Sequence, residues 1–138
     1  MELESSRGVL NVAYTILVVE DTSDTRELMK LVLEFQGYRV LEAENGVAAV
    51  EMAQREHPDA ILMDMSLPLM DGYQATRRIR QEPGLGKVPI IACTAHNYWE
   101  WRSKAILAGC TDFLAKPLEW KVLFATLARY LGKAAADH

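Results

Sequence analysis

Five polar side chains that could form and stabilise an acyl phosphate stand at the ends of apolar segments. Glu20 and Asp21 follow one apolar run, Asp64 ends a second, and Thr94 and Lys116 end two more. Clustered carboxylates repel each other unless a cation neutralises them, and hard oxygen ligands suit Mg²⁺. A carboxylate can also act as a nucleophile and form an aspartyl phosphate, whose oxygens an ammonium and a hydroxyl can stabilise. We call these five residues the strand-end cluster.

Taken singly, the same residues have ordinary structural explanations. An acidic pair after a strand favours the positive end of a helix dipole, and Asp64 alone could cap a loop. Thr94 suits a helix cap, and Lys116 before a proline suits an exposed surface. The joint pattern favours the functional interpretation, because groups suited to one task end four separate segments.

The segments that would position this cluster alternate between strand and helix five times. Predicted strands cover 15–19, 38–43, 60–64, 88–93 and 112–115. This alternation predicts an α/β fold with right-handed crossovers and one doubly wound parallel sheet, covered by helices on both faces. In such sheets ligands lie outside the carboxyl ends of the strands, which is where the strand-end cluster would meet.

The predicted helices have recognisable beginnings and ends. Thr22 or Ser23 can cap the first, which runs to about 36 and is closed by Gly37. An Asn45–Gly46 turn precedes the second, which stops near 57, and the others end near 80, 108 and 131. One face of the first helix would carry Leu28, Leu31, Val32 and Phe35.

Length and composition indicate one ordinary globular domain. The chain has 138 residues, of which 50% are hydrophobic and 25% charged. It has neither a signal peptide nor the roughly 20 consecutive apolar residues of a membrane span, so we expect a cytoplasmic protein. The net charge of -4, with scattered basic residues, disfavours direct nucleic-acid binding. Cys93 and Cys110 lack a metal-ligand or disulfide spacing and are expected to be small buried residues.

The order of these motifs resembles the receiver domain of two-component response regulators. The matching segments are ILVVEDT, AILMDMSLPLMDGYQATRRIR, VPIIACTAH and GCTDFLAKPL. Motifs spread over five strand ends are far more specific than one short match. The resemblance implies a flavodoxin-like fold with strand order 2-1-3-4-5. It places the receiver domain at 14–131, between a leader at 1–13, expected to be disordered, and a tail at 132–138.

The resemblance also implies a metal site and a phosphoacceptor. Asp64 would accept the phosphoryl group. Glu20 and Asp21 would hold Mg²⁺, directly or through water, together with Asp64 and the backbone carbonyl of Met65. Magnesium is therefore the expected cofactor.

Further residues would act on the phosphoryl group or respond to it. Lys116 would pair with it and Thr94 would donate a hydrogen bond to it. Phe113 stands at the position of the family's aromatic switch residue, with a plain core role as the alternative. Pro117 would follow a cis peptide bond. Two positions would tune the phosphoryl lifetime: Ser66, and His96, for which an ordinary exposed loop histidine is the alternative.

The resemblance implies a signalling domain rather than an enzyme acting on other molecules. Its phosphoryl donor would be a histidine kinase or a histidine phosphotransfer protein. A downstream protein, or a second copy of the chain, would bind the face made by the fourth helix, fifth strand and fifth helix. Trp99, Trp101 and Trp120 are candidates for this face. Helical spacing cannot place Trp99 and Trp101 on one side, so at least one of them is expected to be exposed.

Three other functions fit part of the pattern. A degenerate receiver could be a constitutive interaction module, but the complete strand-end cluster argues against it. A phosphohydrolase that uses an aspartyl phosphate commonly carries a second acid two residues after the nucleophile, where this chain has Ser66. A nucleotide-binding protein is disfavoured because neither a P-loop nor a GxGxxG motif follows the first strand.

Overall fold

The computed structural model describes residues 13–95 and 98–132, with the backbone alone at 98–100. The strands are β1 (Thr15–Val19), β2 (Arg39–Ala43), β3 (Ala60–Asp64), β4 (Ile90–Thr94) and β5 (Asp112–Ala115). The helices are α1 (Ser23–Phe35), α2 (Gly46–Glu56), α3 (Gly72–Arg80), α4 (Tyr98–Ala108) and α5 (Trp120–Leu131). The predicted leader and tail lie outside the described residues except for Ala13 and Gly132.

The five strands form one parallel sheet in the order β2-β1-β3-β4-β5. This is the predicted order, and the α/β fold class is confirmed. Because the chain reverses its direction across the sheet between β1 and β3, the carboxyl ends of these two strands flank the topological switch point. None of the helices in the described part of the chain is long and apolar enough to cross a membrane.

Alternate residues of the buried strands pack into two hydrophobic cores. Leu17 and Val19 of β1 face the core shared with α2, α3 and α4, whereas Ile16 and Val18 face the core shared with α1 and α5. All four side chains are at most 1% exposed. Burial of each such aliphatic side chain stabilises the fold by about 1.5–3 kcal/mol, so both layers of helices are held firmly on the sheet.

Of the predicted apolar face of α1, only Val32 packs against the core. Met29 and Leu33 are buried, whereas Leu28, Leu31 and Phe35 are 49%, 59% and 85% exposed. Apolar residues on this helix form two overlapping stripes at helical spacing, offset by one residue. Packing against the sheet buries the stripe with Met29 and Leu33, and it leaves Leu28, Leu31 and Phe35 at the surface.

Local side-chain contacts define where the helices begin. Asn45 is the N-cap of α2 rather than part of a turn before it, since its Oδ1 accepts a hydrogen bond from the N–H of Ala48 at 2.8 Å. Asp71 and Gln74 form a capping box at the start of α3. Thr22 is the N-cap residue of α1, but its side chain makes no capping hydrogen bond. The predicted cap position at Thr22 is therefore confirmed, but its hydroxyl does not make the capping hydrogen bond.

Candidate functional site

The parallel sheet brings the strand-end cluster to one edge. Glu20 and Asp21 directly follow β1, and Asp64 is the last residue of β3 beside it. Thr94 ends β4, and Lys116 directly follows β5. These five positions come from four strands that are far apart in sequence, as the sequence predicted.

Three carboxylates of this cluster form a compact group. Glu20, Asp21 and Asp64 each offer an oxygen, and these atoms lie within 4.8 Å of one another. Glu20 and Asp64 are each 4% exposed, whereas Asp21 is open to solvent. Two buried ligands and one exposed ligand suit Mg²⁺, which binds few carboxylates and keeps several waters.

The ammonium of Lys116 lies between the two buried carboxylates. Its Nζ is 3.1 Å from Oε1 of Glu20 and 3.3 Å from Oδ2 of Asp64. Burial lowers the pKa of Lys116, but the charge of Asp64 and the hydrogen bond to Glu20 outweigh it, so the pKa is raised overall. The lysine therefore stays protonated. The peptide bond before Pro117 is cis, as the resemblance implied.

Backbone N–H groups fix the orientation of the same two carboxylates. Oδ1 of Asp64 accepts a hydrogen bond from the N–H of Ser66 at 3.0 Å. Oε2 of Glu20 accepts one from the N–H of Thr22 at 3.1 Å. The backbone carbonyl of Glu20 also accepts a hydrogen bond from Arg26 at 2.8 Å. Oδ1 of Asp64 thus faces the N–H of Ser66, and Oδ2 faces the ammonium of Lys116. Each oxygen keeps a further lone pair that can bind a metal ion or attack phosphorus.

Met65 presents its backbone next to the carboxylates. Its N–H donates to the carbonyl of Cys93 at 3.1 Å, and its own carbonyl accepts a long hydrogen bond of 3.4 Å from the N–H of Gly72. The second lone pair of that carbonyl could serve a metal ion. A Cβ at Gly72 would meet the carbonyl oxygen of Asp64 and lie 2.8 Å from Cα of Met65, so the close approach of α3 to this loop requires glycine.

Thr94 of the cluster and Phe113 lie on neighbouring strands, β4 and β5. Both are half-buried, and the carbonyl of Thr94 accepts a hydrogen bond from the N–H of Lys116 at 2.8 Å. Both line a cavity of about 10 Å³, together with Tyr73 and other residues. The guanidinium carbon of Arg102 lies 5.3 Å from the centroid of the Phe113 ring. Any inward movement of Phe113 would therefore break a cation–π contact.

The tryptophans predicted for a partner surface are partly packed inside. Trp101 is half-buried, stacks on Tyr73 with 5.9 Å between ring centroids, and has Nζ of Lys104 4.4 Å from its own centroid. Trp120 is half-buried and packs against the core under α1 and α5. The side chain of Trp99 lies outside the described residues, so the exposure of that pair stays a prediction.

Of the two positions predicted to tune the phosphoryl lifetime, the structure describes only Ser66. Ser66 is exposed beside Asp64, two residues after it. His96 lies outside the described residues. The role assigned to each stays a prediction.

Sequence reasoning missed a cavity of about 340 Å³ between α1 and the segment that joins β5 to α5. It begins at Glu20, Asp64 and Lys116 and continues over apolar side chains that include Leu28 and Trp120. The signal for it was Leu28, an apolar residue of α1 that lines the cavity and does not enter the core.

Known proteins show strong similarity to this chain. The model of the response regulator receiver domain matches residues 16–128. The polar-differentiation response regulator DivK of Brucella ovis is 30% identical over 120 residues, which are 87% of this chain and 98% of that protein. Chemotaxis protein CheY4 of Vibrio cholerae has 28% identity and a TM-score of 0.83, and the match covers 87% of this chain and all of that one.

A third similar protein carries the metal. The receiver domain of sensor histidine kinase PA1611 from Pseudomonas aeruginosa PAO1 is 41% identical with a TM-score of 0.82, covering 88% of this chain and 100% of that chain. That crystal structure has a magnesium ion coordinated in its active site cleft. The three-carboxylate group of the present chain has the ligand chemistry for the same ion, in agreement with the predicted magnesium cofactor. The chain therefore belongs to the response regulator receiver domains of two-component signal transduction.

Proposed function

We propose that this receiver domain takes a phosphoryl group from a partner's phosphohistidine onto Asp64 and thereby switches a protein-interaction surface. The observation that carries the proposal is the placement of Asp64. Its two oxygens contact the N–H of Ser66 and the ammonium of Lys116. One oxygen each of Glu20, Asp21 and Asp64 lie within 4.8 Å of one another, so the three could share a metal ion. A carboxylate oriented in this way can attack a phosphorus atom while positive charge surrounds the transferring oxygens.

The chemistry can be assigned to individual atoms. A lone pair of the Asp64 carboxylate attacks phosphorus, and the bond from phosphorus to the donor's imidazole nitrogen breaks with its electron pair left on that nitrogen. Glu20, Asp21, Asp64 and the carbonyl of Met65 would hold Mg²⁺, which would supply positive charge to the phosphoryl oxygens. Lys116 then exchanges its contact with Asp64 for a contact with the phosphoryl group.

Two more residues would couple phosphorylation of Asp64 to a change at the protein surface. Thr94 donates its hydroxyl to a phosphoryl oxygen, and Phe113 moves toward the space that Thr94 leaves. Because Phe113 has no hydroxyl, the change acts through packing, and the contact with Arg102 must break. The face formed by α4, β5 and α5, with Trp99, Trp101 and Trp120, then changes its affinity for a downstream partner or for a second copy of the chain.

Removal of the phosphoryl group completes the cycle. Water attacks phosphorus, the bond between phosphorus and the Asp64 oxygen breaks, and inorganic phosphate leaves, which restores the Asp64 carboxylate. Ser66 is exposed next to that carboxylate, so its side chain is placed to affect the approach of water. We propose that Ser66 and His96 together set how long the phosphorylated state lasts.

Intact-mass analysis after incubation with acetyl phosphate tests the proposal. The expected result is one phosphoryl adduct that hydroxylamine removes, that requires Mg²⁺ and that is absent from Asp64→Asn. Asp24→Asn is the matched control, because it removes an exposed carboxylate of α1. This control should be phosphorylated like the wild type.

Two outcomes would contradict the proposal. A folded wild-type protein without any adduct would favour the constitutive interaction module. An adduct that persists in Asp64→Asn would mean that another residue is the acceptor.

A further inference from the structure

The cavity of about 340 Å³ beside Asp64 has two chemically different ends. Its polar end is formed by Glu20, Asp64 and Lys116, the groups assigned to phosphoryl transfer. The remainder is lined mainly by apolar side chains, among them Leu28 and Trp120. Small-molecule sites have volumes of roughly 300–1,000 Å³ and combine apolar walls with a few polar groups, so this cavity is large enough for a small ligand.

The elements around the cavity are well fixed. Leu62 of β3, which is 1% exposed, and Cys93 of β4, which is 2% exposed, form part of its floor. Met29 of α1 is 4% exposed and closes one side. Leu28, 49% exposed, stands at the surface and can contact a ligand without a change in the core.

We propose that this cavity binds the apolar leaving group of a small phosphoryl donor, and that the protein therefore prefers aromatic acyl phosphates to acetyl phosphate. The inference rests on the proposed function, since the donor's phosphoryl group must lie at Asp64. Because Asp64 itself lines the cavity, a donor whose phosphorus lies at Asp64 can place its other end against the apolar walls. A phenyl ring would be removed from water against Leu28 and Trp120, which favours binding in proportion to the apolar area buried.

The reaction is balanced without another reactant. A lone pair of Asp64 forms a bond to phosphorus of benzoyl phosphate, and the bond between phosphorus and the acyl oxygen breaks. Its electron pair stays on the benzoate oxygen, so the products are phosphorylated Asp64 and benzoate. No proton is transferred, and the total charge is unchanged. Acetyl phosphate reacts in the same way but lacks the ring.

The test measures the second-order rate of Asp64 phosphorylation with benzoyl phosphate and with acetyl phosphate, in the presence of Mg²⁺. The ratio of the two rates is compared between variants, because intrinsic donor reactivity cancels in that comparison. Leu28→Ala removes part of the apolar wall and should lower the ratio about fivefold. Thr25→Phe should fill part of the cavity from an exposed position on α1 and lower the ratio at least as much, while acetyl phosphate still reacts.

Leu107→Ala is the control, because Leu107 is 84% exposed on α4 and does not line the cavity. Its ratio should equal that of the wild type. An unchanged ratio in both Leu28→Ala and Thr25→Phe would overturn the proposal. Failure of the wild type to react with acetyl phosphate would instead contradict the proposed function, so the two failures are distinguishable.

Discussion

The ammonium of Lys116 lies 3.1 Å from Oε1 of Glu20, which joins the end of β5 to the end of β1 across the two strands between them. The side chain of Glu20 is 5% exposed and that of Lys116 is 27% exposed. A cation therefore already stands among carboxylates that Mg²⁺ also binds. The lysine and the metal ion repel each other, so they compete for the same negative charge.

Lys116→Ala should bind Mg²⁺ more tightly than the wild type while it is phosphorylated more slowly. Loss of the competing positive charge should lower the Kd for Mg²⁺ about fivefold to tenfold. Without Mg²⁺ the variant should be about 1–3 kcal/mol less stable, because two buried carboxylates lose their partner. Thermal unfolding over a Mg²⁺ titration measures both effects. Lys87→Ala, at an exposed position, is the control, and weaker Mg²⁺ binding by Lys116→Ala would contradict the argument.

Gly72→Ala should disturb the phosphoacceptor loop from the neighbouring helix. Its Cβ would lie 2.8 Å from Cα of Met65 and against the carbonyl oxygen of Asp64, so backbone must move. Overpacking of this kind costs about 1–3 kcal/mol. Gly86→Ala is a matched control, because its Cβ would approach nothing closer than 3.9 Å. Urea unfolding of both variants checks the prediction, which fails if they are equally stable.

Arg80→Leu should destabilise the fold although it lies away from the site. The Arg80 guanidinium donates to the carbonyl oxygens of Gly109 at 2.9 Å, Val88 at 2.6 Å and Leu85 at 3.1 Å. It thereby ties the segment before β4 to the segment before β5. Loss of these donors should cost about 2–4 kcal/mol in urea unfolding. Arg77→Ala, exposed on the same helix, should cost less than about 0.5 kcal/mol, and equal losses in both would refute this role for Arg80.

The sheet and the strand-end cluster could be predicted because their signals are local. Four of the five apolar runs end at a polar residue that enters the site, and alternation with helices leaves few topologies. Asp64 and Lys116 were placed in one site although they lie 52 positions apart in the sequence. That step needed only the rule that carboxyl ends of parallel strands share one edge.

The surfaces could not be predicted because they depend on packing between elements. Leu28 and Met29 are neighbours in sequence with similar hydrophobicity, and only contact with the sheet shows which of them is buried. The cavity beside Lys116 needs the relative position of α1 and the start of α5, which no local pattern contains. Trp101 likewise stacks on Tyr73 from a different helix.

The thiol of Cys93 should make the fold sensitive to alkaline pH. Burial raises the pKa of this thiol from 9.0 to about 12, because a thiolate cannot be hydrated in the core. In the unfolded chain the thiol ionises near pH 9, while in the folded chain it stays protonated. Its contribution to the free energy of unfolding is therefore complete below pH 9 and is lost as the pH rises from about 9 to about 12.

At pH 10 this loss amounts to about 1 kcal/mol, and at pH 8 it is close to zero. Lysines and tyrosines also titrate at alkaline pH, so the measurement is a difference between the wild type and Cys93→Ala. Urea unfolding of both proteins at pH 8 and pH 10 should show that the wild type loses more stability over this interval, because the alanine variant has no thiol to ionise. Equal losses in the two proteins would mean that the thiol is accessible to water, in conflict with its 2% exposure.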